Sequence, residues 1–284
     1  LRALLALTSL LAALVLAGCT DEARDALRPS QTGCYFTTGI GETHLTSEQA
    51  ANAATISAVG LRDGMDERAV AVAITTAMQE SELKNVEYGH DDSLGLFQQR
   101  PSMGWGSEEE LMDPVYASFK FYEKLRRTDG WEDMTLAEAA QAVQVSAYPD
   151  LYEQWEEDAT VIAAVFAGGK EGGIGCVKGN APEVTADPEL LAEAFAYHWG
   201  AEVSEVDGTT VVVDPSDAAE GWNRAAWAVA RSYDYSITSV AYGGMVWAAG
   251  EDGWTEPNAE EDGEDAVAVA NDSHAAVIIT FAAA

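Results

Sequence analysis

Residues 66–106 read DERAVAVAITTAMQESELKNVEYGHDDSLGLFQQRPSMGWG. Val70, Ala73, Ile74, Ala77 and Met78 fall at i, i+3, i+4, i+7 and i+8, the spacing that lines up one face of an α-helix. The pattern therefore predicts a helix from Asp66. At 100° per residue, Glu80 lies about 90° from the centre of the apolar stripe, at its rim and near the helix C-terminus. Partial desolvation raises a carboxyl pKa, and the negative end of the helix dipole pushes the same way. A glutamate kept protonated near neutral pH is what a general acid requires. A solvated rim glutamate fits the same period, so the neighbouring residues have to decide.

Outward from this helix, residues 46–167 read as helical. Thr46 with Gln49 and Thr135 with Glu138 have capping-box spacing. Asp113-Pro114 reads as an N-cap followed by proline at the first helical position. Residues 19–45 are polar and read as a tether, and 168–180, opening on GGKEGGIG, have linker composition. Beyond them the period alternates. Helices are predicted over 188–199 and 218–233, and strands over 209–213, 237–242, 245–249 and 275–281. The expected fold is α+β: an all-α domain, then a small α/β domain over 181–284.

Fifteen Lys and Arg against 48 Asp and Glu give a net charge of −33. A field of that sign repels polyphosphate, so no nucleic-acid partner is expected, and no electrostatic binding to anionic lipid. His44, His90, His198 and His274 are scattered, none at ligand spacing with another His or Cys, so neither a metal nor another cofactor is expected. Residues 1–18 carry Arg2 and then an apolar run shorter than the ~20 residues that span a bilayer, and read as a secretory signal. Leu16-Ala17-Gly18-Cys19 resembles a bacterial lipobox, which implies lipid on Cys19. The expected location is then the outer face of the cytoplasmic membrane, held by that anchor alone. In an oxidising compartment Cys34 and Cys176 are expected to form a disulfide, two buried free thiols being the alternative.

Glu80-Ser81, then Gly95-Leu96-Phe97-Gln98, then Ala147-Tyr148 follow the order and spacing of the lysozyme-like superfamily. The stretch Val70 to about Ala164 resembles its soluble lytic transglycosylase and goose-type lysozyme branches. A further likeness, through SLGLFQQRPSMGWG, is to exported proteins of high-GC Gram-positive bacteria. The resemblance implies cleavage of peptidoglycan glycan strands at the MurNAc–GlcNAc bond, with Glu80 protonating the glycosidic oxygen. Tyr148 would hydrogen-bond the Glu80 carboxyl. Ser81, Gly95, Leu96, Gln98 and Gln99 would form the substrate loop, and Tyr88, Phe97 and Trp105 would offer faces for pyranose rings or, alternatively, fill the core. Pro149 stands where the transglycosylases carry Asn.

An inverting hydrolase needs a second carboxylate ~6.5–9.5 Å from the acid. Asp92, or Asp91 beside it, is the candidate; either could instead cap the turn before Ser93. A transglycosylase needs only Glu80, with the substrate's own 6-hydroxyl attacking, and Gly-Leu-Phe-Gln is nearer that branch. Residues 221–254 resemble a small C-terminal domain of secreted actinobacterial cell-wall proteins and are read as non-catalytic. Asp272 and His274 do not complete a ligand set there, and 256–265 reads as an acidic solvated loop. The competing functional reading is a lipoprotein that binds glycan, or acts as a scaffold, without turnover.

Overall fold

The computed structural model describes residues 32–146, 148–177, 184–251, 253–257, 269, 273 and 275–282. The leader, Cys19, Ala147, Asp272, His274 and most of the acidic loop lie outside the described residues. Helix α1 (Ser47–Arg62) starts at the expected Thr46–Gln49 capping box and is buried at every residue from Ala50 to Gly60. Helix α2 (Glu67–Ser81) is capped by Asp66 and buried from Ala69 to Met78. A helix apolar or small on all sides is a core helix. The single stripe read from the sequence therefore understates α2. Its small residues (Ala71, Ala73, Ala77) admit neighbours closely, and the Thr76 hydroxyl is satisfied by Val72 O at 2.8 Å.

Four helices follow: α3 (Glu108–Leu111), α4 (Pro114–Leu125), α5 (Leu136–Gln144) and α6 (Glu156–Phe166). Asp113 with Pro114 opens α4, and the Thr135–Glu138 capping box opens α5, as their sequences predict. A 3-10 helix, Pro149–Trp155, joins α5 to α6. Helix α2 packs against α1, α5, α6 and this 3-10 segment.

The expected tether and linker are not loose chain. Residues Gly33–Thr37 (β1) and Glu42–Leu45 (β2) form an antiparallel hairpin, and Ile174–Val177 (β3) pairs with β1 on the other side. Cys34 and Cys176 face each other in that register and are disulfide-bonded, 142 residues apart. In the chain-entropy account a closure of that length stabilises by about 5 kcal/mol.

The rest of the chain adds α7 (Pro188–Trp199), β4 (Glu205–Asp207), β5 (Thr210–Val213), α8 (Ala218–Ala230), α9 (Ser232–Tyr235), β6 (Ile237–Tyr242), β7 (Met245–Ala248) and β8 (Val277–Phe281). The strands make one antiparallel sheet in the order β4-β5-β8-β6-β7. Helix α8 is buried from Gly221 to Ala230 and packs on β6, and equally on α1, α6 and β3. One apolar core thus runs from Phe36 to Phe281, and the chain from Thr32 onward is one compact unit rather than two domains across a linker. Gly168 shows why the connection is glycine: at φ +78°, a Cβ there would lie 1.9 Å from Ala219 O at the start of α8. No described helix is long and apolar enough to cross a membrane.

A shared core predicts one cooperative unfolding transition, with far-UV and near-UV signals coinciding in urea. Gly168→Ala should destabilise by roughly 2–4 kcal/mol, combining left-handed strain with overpacking. Two resolved transitions, only one of them moved by Gly168→Ala, would restore the two-domain reading.

Candidate active site

Helix α2 ends abruptly just past Glu80. Glu82 (φ 54°) and Leu83 (φ 56°) both take the left-handed conformation. Side chains of α1 hold them there: Gln49 Nε2 donates to Glu82 O at 2.9 Å and Asn52 Nδ2 to Leu83 O at 2.8 Å. Ser81 Oγ donates to Leu96 O at 2.8 Å, which pins the Gly-Leu-Phe-Gln loop to the end of the helix. The predicted Glu-Ser and Gly-Leu-x-Gln pieces are therefore brought together, through Ser81 and one loop carbonyl.

Glu80 is half-buried at this corner. Tyr152 Oη donates a hydrogen bond to its Oε1. Gln144, the last residue of α5, also hydrogen-bonds the carboxyl, and its Nε2 donates to Phe97 O at 2.7 Å. Burial raises the Glu80 pKa above the ordinary glutamate value and outweighs the bonds from Tyr152 and Gln144, which lower it. Tyr152 is pushed up in turn, by burial first and then by the neighbouring carboxylate charge, so its phenol stays a donor. The result is a carboxyl biased toward its protonated form and fixed in one orientation.

The tyrosine on Glu80 is thus Tyr152, not the expected Tyr148. Tyr148 is 70% exposed and bonds only locally, its backbone N–H to Ser146 Oγ. The reason is the 3-10 helix, in which residues three apart eclipse. Tyr152 and Trp155 both turn inward, Tyr152 to Glu80 and Trp155 Nε1 to Gln79 Oε1 at 3.0 Å. That period of three, in PDLYEQW, was the available sequence signal. Gln144 carried none beyond its place at a helix end.

The loop residues divide into framework and surface. Gly95, at φ +72°, is boxed in: its N–H donates to Val86 O at 2.8 Å, and a Cβ would lie 2.4 Å from Leu111 O. Leu96 and Phe97 are fully buried, and Phe97 stacks on Phe121 at 4.7 Å. Phe97 is therefore a core residue and offers no face to a sugar. Gln99 is buried too, its Nε2 donating to Ala117 O at 3.1 Å. Gln98, at φ 48°, is partly exposed, and its Nε2 is held by Tyr88 O and Gly95 O at 3.2 and 3.3 Å. Tyr88 is 76% exposed, and Trp105 half-buried. Gln98, Trp105 and Gln144 line one groove of about 560 Å³.

Asp92 does not stand free. Its Oδ1 accepts from Arg100 Nε at 2.8 Å and Ser102 Oγ at 2.9 Å, and its Oδ2 from the Ser102 N–H at 2.7 Å. These bonds, the Ser102 N–H foremost, hold its pKa down to about 2. Asp91 is ion-paired with the same Arg100 at 3.0 Å. The bridge between Leu94 and Gln99 folds the loop back, so Arg100 meets both aspartates. Asp92 thus serves as a brace for the loop and the turn at Pro101–Met103. Among the described residues, no cluster of three or more His, Cys, Asp or Glu could hold a metal ion. No protein-family model matches this chain, and no curated protein matches its sequence.

A raised carboxyl pKa in the fold means stability is lost as pH climbs from the ordinary glutamate value, 4.5, through the higher folded value. Glu80→Gln has no such loss. It should be more stable than wild type at pH 7 in urea denaturation, with the gap closing below pH 4.5. A gap independent of pH would mean that the Glu80 carboxyl is not desolvated.

Proposed function

We propose that the protein is a lysozyme-like peptidoglycan-cleaving enzyme, working as a lytic transglycosylase, with Glu80 as its single acid and base. The observation that carries the reading is the half-buried Glu80 carboxyl, favoured in its protonated form and bonded by Tyr152 and Gln144 at the end of a groove-lining loop. Protonated Glu80 gives its proton to the glycosidic oxygen as the bond to the MurNAc C1 breaks. The resulting carboxylate then takes the proton of the MurNAc 6-hydroxyl while that oxygen bonds C1. The product is a 1,6-anhydro end, and Glu80 is again protonated. Tyr152 and Gln144 orient the carboxyl and stabilise its charge between the two steps. Gln98 and the loop backbone would meet the N-acetyl group, and Trp105 would stack on a ring.

Transglycosylation is preferred to hydrolysis because Asp91 and Asp92, the two candidates for the second carboxylate, are both engaged by Arg100. The net charge of −33 favours the second reading, a glycan-binding or scaffold lipoprotein without turnover, since an anionic wall repels such a chain. In either reading lipid on Cys19 places the protein on the outer face of the cytoplasmic membrane. Labelling with a fatty-acid analogue should mark wild type and not Cys19→Ser, and label persisting on the variant would remove the anchor.

Incubation with purified peptidoglycan and mass analysis of the muropeptides tests the activity. Wild type should release anhydro-ended products, and Glu80→Gln should lose at least 10²-fold in rate. Reducing ends would indicate a hydrolase. Wild type without products, or Glu80→Gln as fast as wild type, would overturn the assignment.

A further inference from the structure

The groove at the Glu80 corner is basic in a protein that is otherwise strongly acidic. Arg100, Lys120, Lys124 and Arg127 line it, four of the chain's 15 Lys and Arg, with Glu123 as the single acid among the lining residues. Arg100 is taken up by Asp91 and Asp92. Lys120 and Arg127 share the one Glu123 carboxylate, by i,i+3 and i,i+4 pairing. Lys124 is exposed and has no carboxylate partner among the described residues. At this end of α4 and just beyond it three cations thus face one carboxylate; with Asp91 and Asp92 on Arg100 counted, four cations face three carboxylates and one positive charge is left over.

Lys124 lies in the last turn of α4, where the helix dipole favours a cation, but it has no carboxylate of its own among the described residues. Lys120 and Lys124 are four apart, where like charges repel. With 48 acidic residues in the chain, pairing partners for these cations would be easy to supply. The groove adjoins the site through Gln144, which lines it together with Gln98 and hydrogen-bonds the Glu80 carboxyl. A strand lying over Gln144 borders the same groove as the cations.

We propose that this groove seats an anionic group, a carboxylate or phosphate, borne by the glycan strand that Glu80 acts on. The proposal rests on the glycan-cleaving reading and adds to it a preference for substituted strands. In peptidoglycan the carboxylates belong to the peptides on the lactyl groups, and phosphates to polymers esterified to the wall. The local positive field also offsets, where the strand docks, the repulsion of a chain at −33.

The test is equilibrium binding by the full chain in a Glu80→Gln background, which prevents turnover. The probes are a neutral chitin hexasaccharide, a glycan strand with its peptides, the same strand after amidase treatment, and a short poly(glycerol phosphate). The peptide-bearing strand should bind about fivefold to tenfold tighter than the stripped one. Lys124→Glu should abolish that preference, and raised salt should weaken it. The hexasaccharide should bind both proteins alike, with melting temperature confirming the fold. Preference for the phosphate polymer, lost in Lys124→Glu, would also support the site and identify phosphate as the source. Equal binding of peptide-bearing strand, stripped strand and polymer, unchanged by Lys124→Glu, would overturn the groove while leaving the glycan reading intact. No binding of any glycan would overturn both.

Discussion

The Glu80 carboxyl leaves water because the helix beneath it has nowhere else to go. Helix α2 is buried over ten consecutive residues, Ala69–Met78, and is wrapped by α1, α5, α6 and the Pro149–Trp155 segment. Its axis is therefore fixed by the core, and its last turn emerges where those neighbours end. Glu80 is presented at that edge, with desolvation raising its pKa and Tyr152 holding its orientation. Desolvation and hydrogen bonding oppose each other in their effect on the pKa, and desolvation is the larger. A more exposed glutamate would lose its proton too easily; one without its donors would lack a defined direction.

The same economy of position governs the loop. Ser81 ties its Leu96 carbonyl to the helix, Phe97 roots it in the core on Phe121, and Arg100 gathers Asp91 and Asp92 at its far end. Gly95 permits the turn because the Leu111 carbonyl occupies the space of a side chain. Most residues of the loop motif are thus spent on making it rigid. Gln98, Trp105 and the cations that follow along the groove remain to meet a ligand.

How far the sequence was readable follows from which forces act locally. Helix starts at Thr46, Asp66, Asp113 and Thr135 were legible because a cap is a contact within four residues. The rim position of Glu80 followed from period alone. The hairpin of β1 and β2 was not legible: its strands have five and four residues, β2 reads ETHL, and β1 depends on β3 from far along the chain. The glycines after Phe166 looked like linker composition, yet Gly168 is required by close approach to α8, a contact only the fold creates. Tyr148 and Tyr152 differ by one short turn. Only the 3-10 geometry, set where the segment packs on α2, decides which of them reaches Glu80.

The central claim is that burial, against the pull of Tyr152 and Gln144, keeps the Glu80 carboxyl protonated above the ordinary glutamate range. A carbon-13 NMR titration of side-chain carboxyl resonances measures this directly, with the Glu80 signal assigned by its absence in Glu80→Gln. The account predicts a midpoint above 4.5, the ordinary value, moving higher still in Tyr152→Phe as the bond favouring the ionised form is lost. A midpoint at or below 4.5, unmoved by Tyr152→Phe, would contradict it.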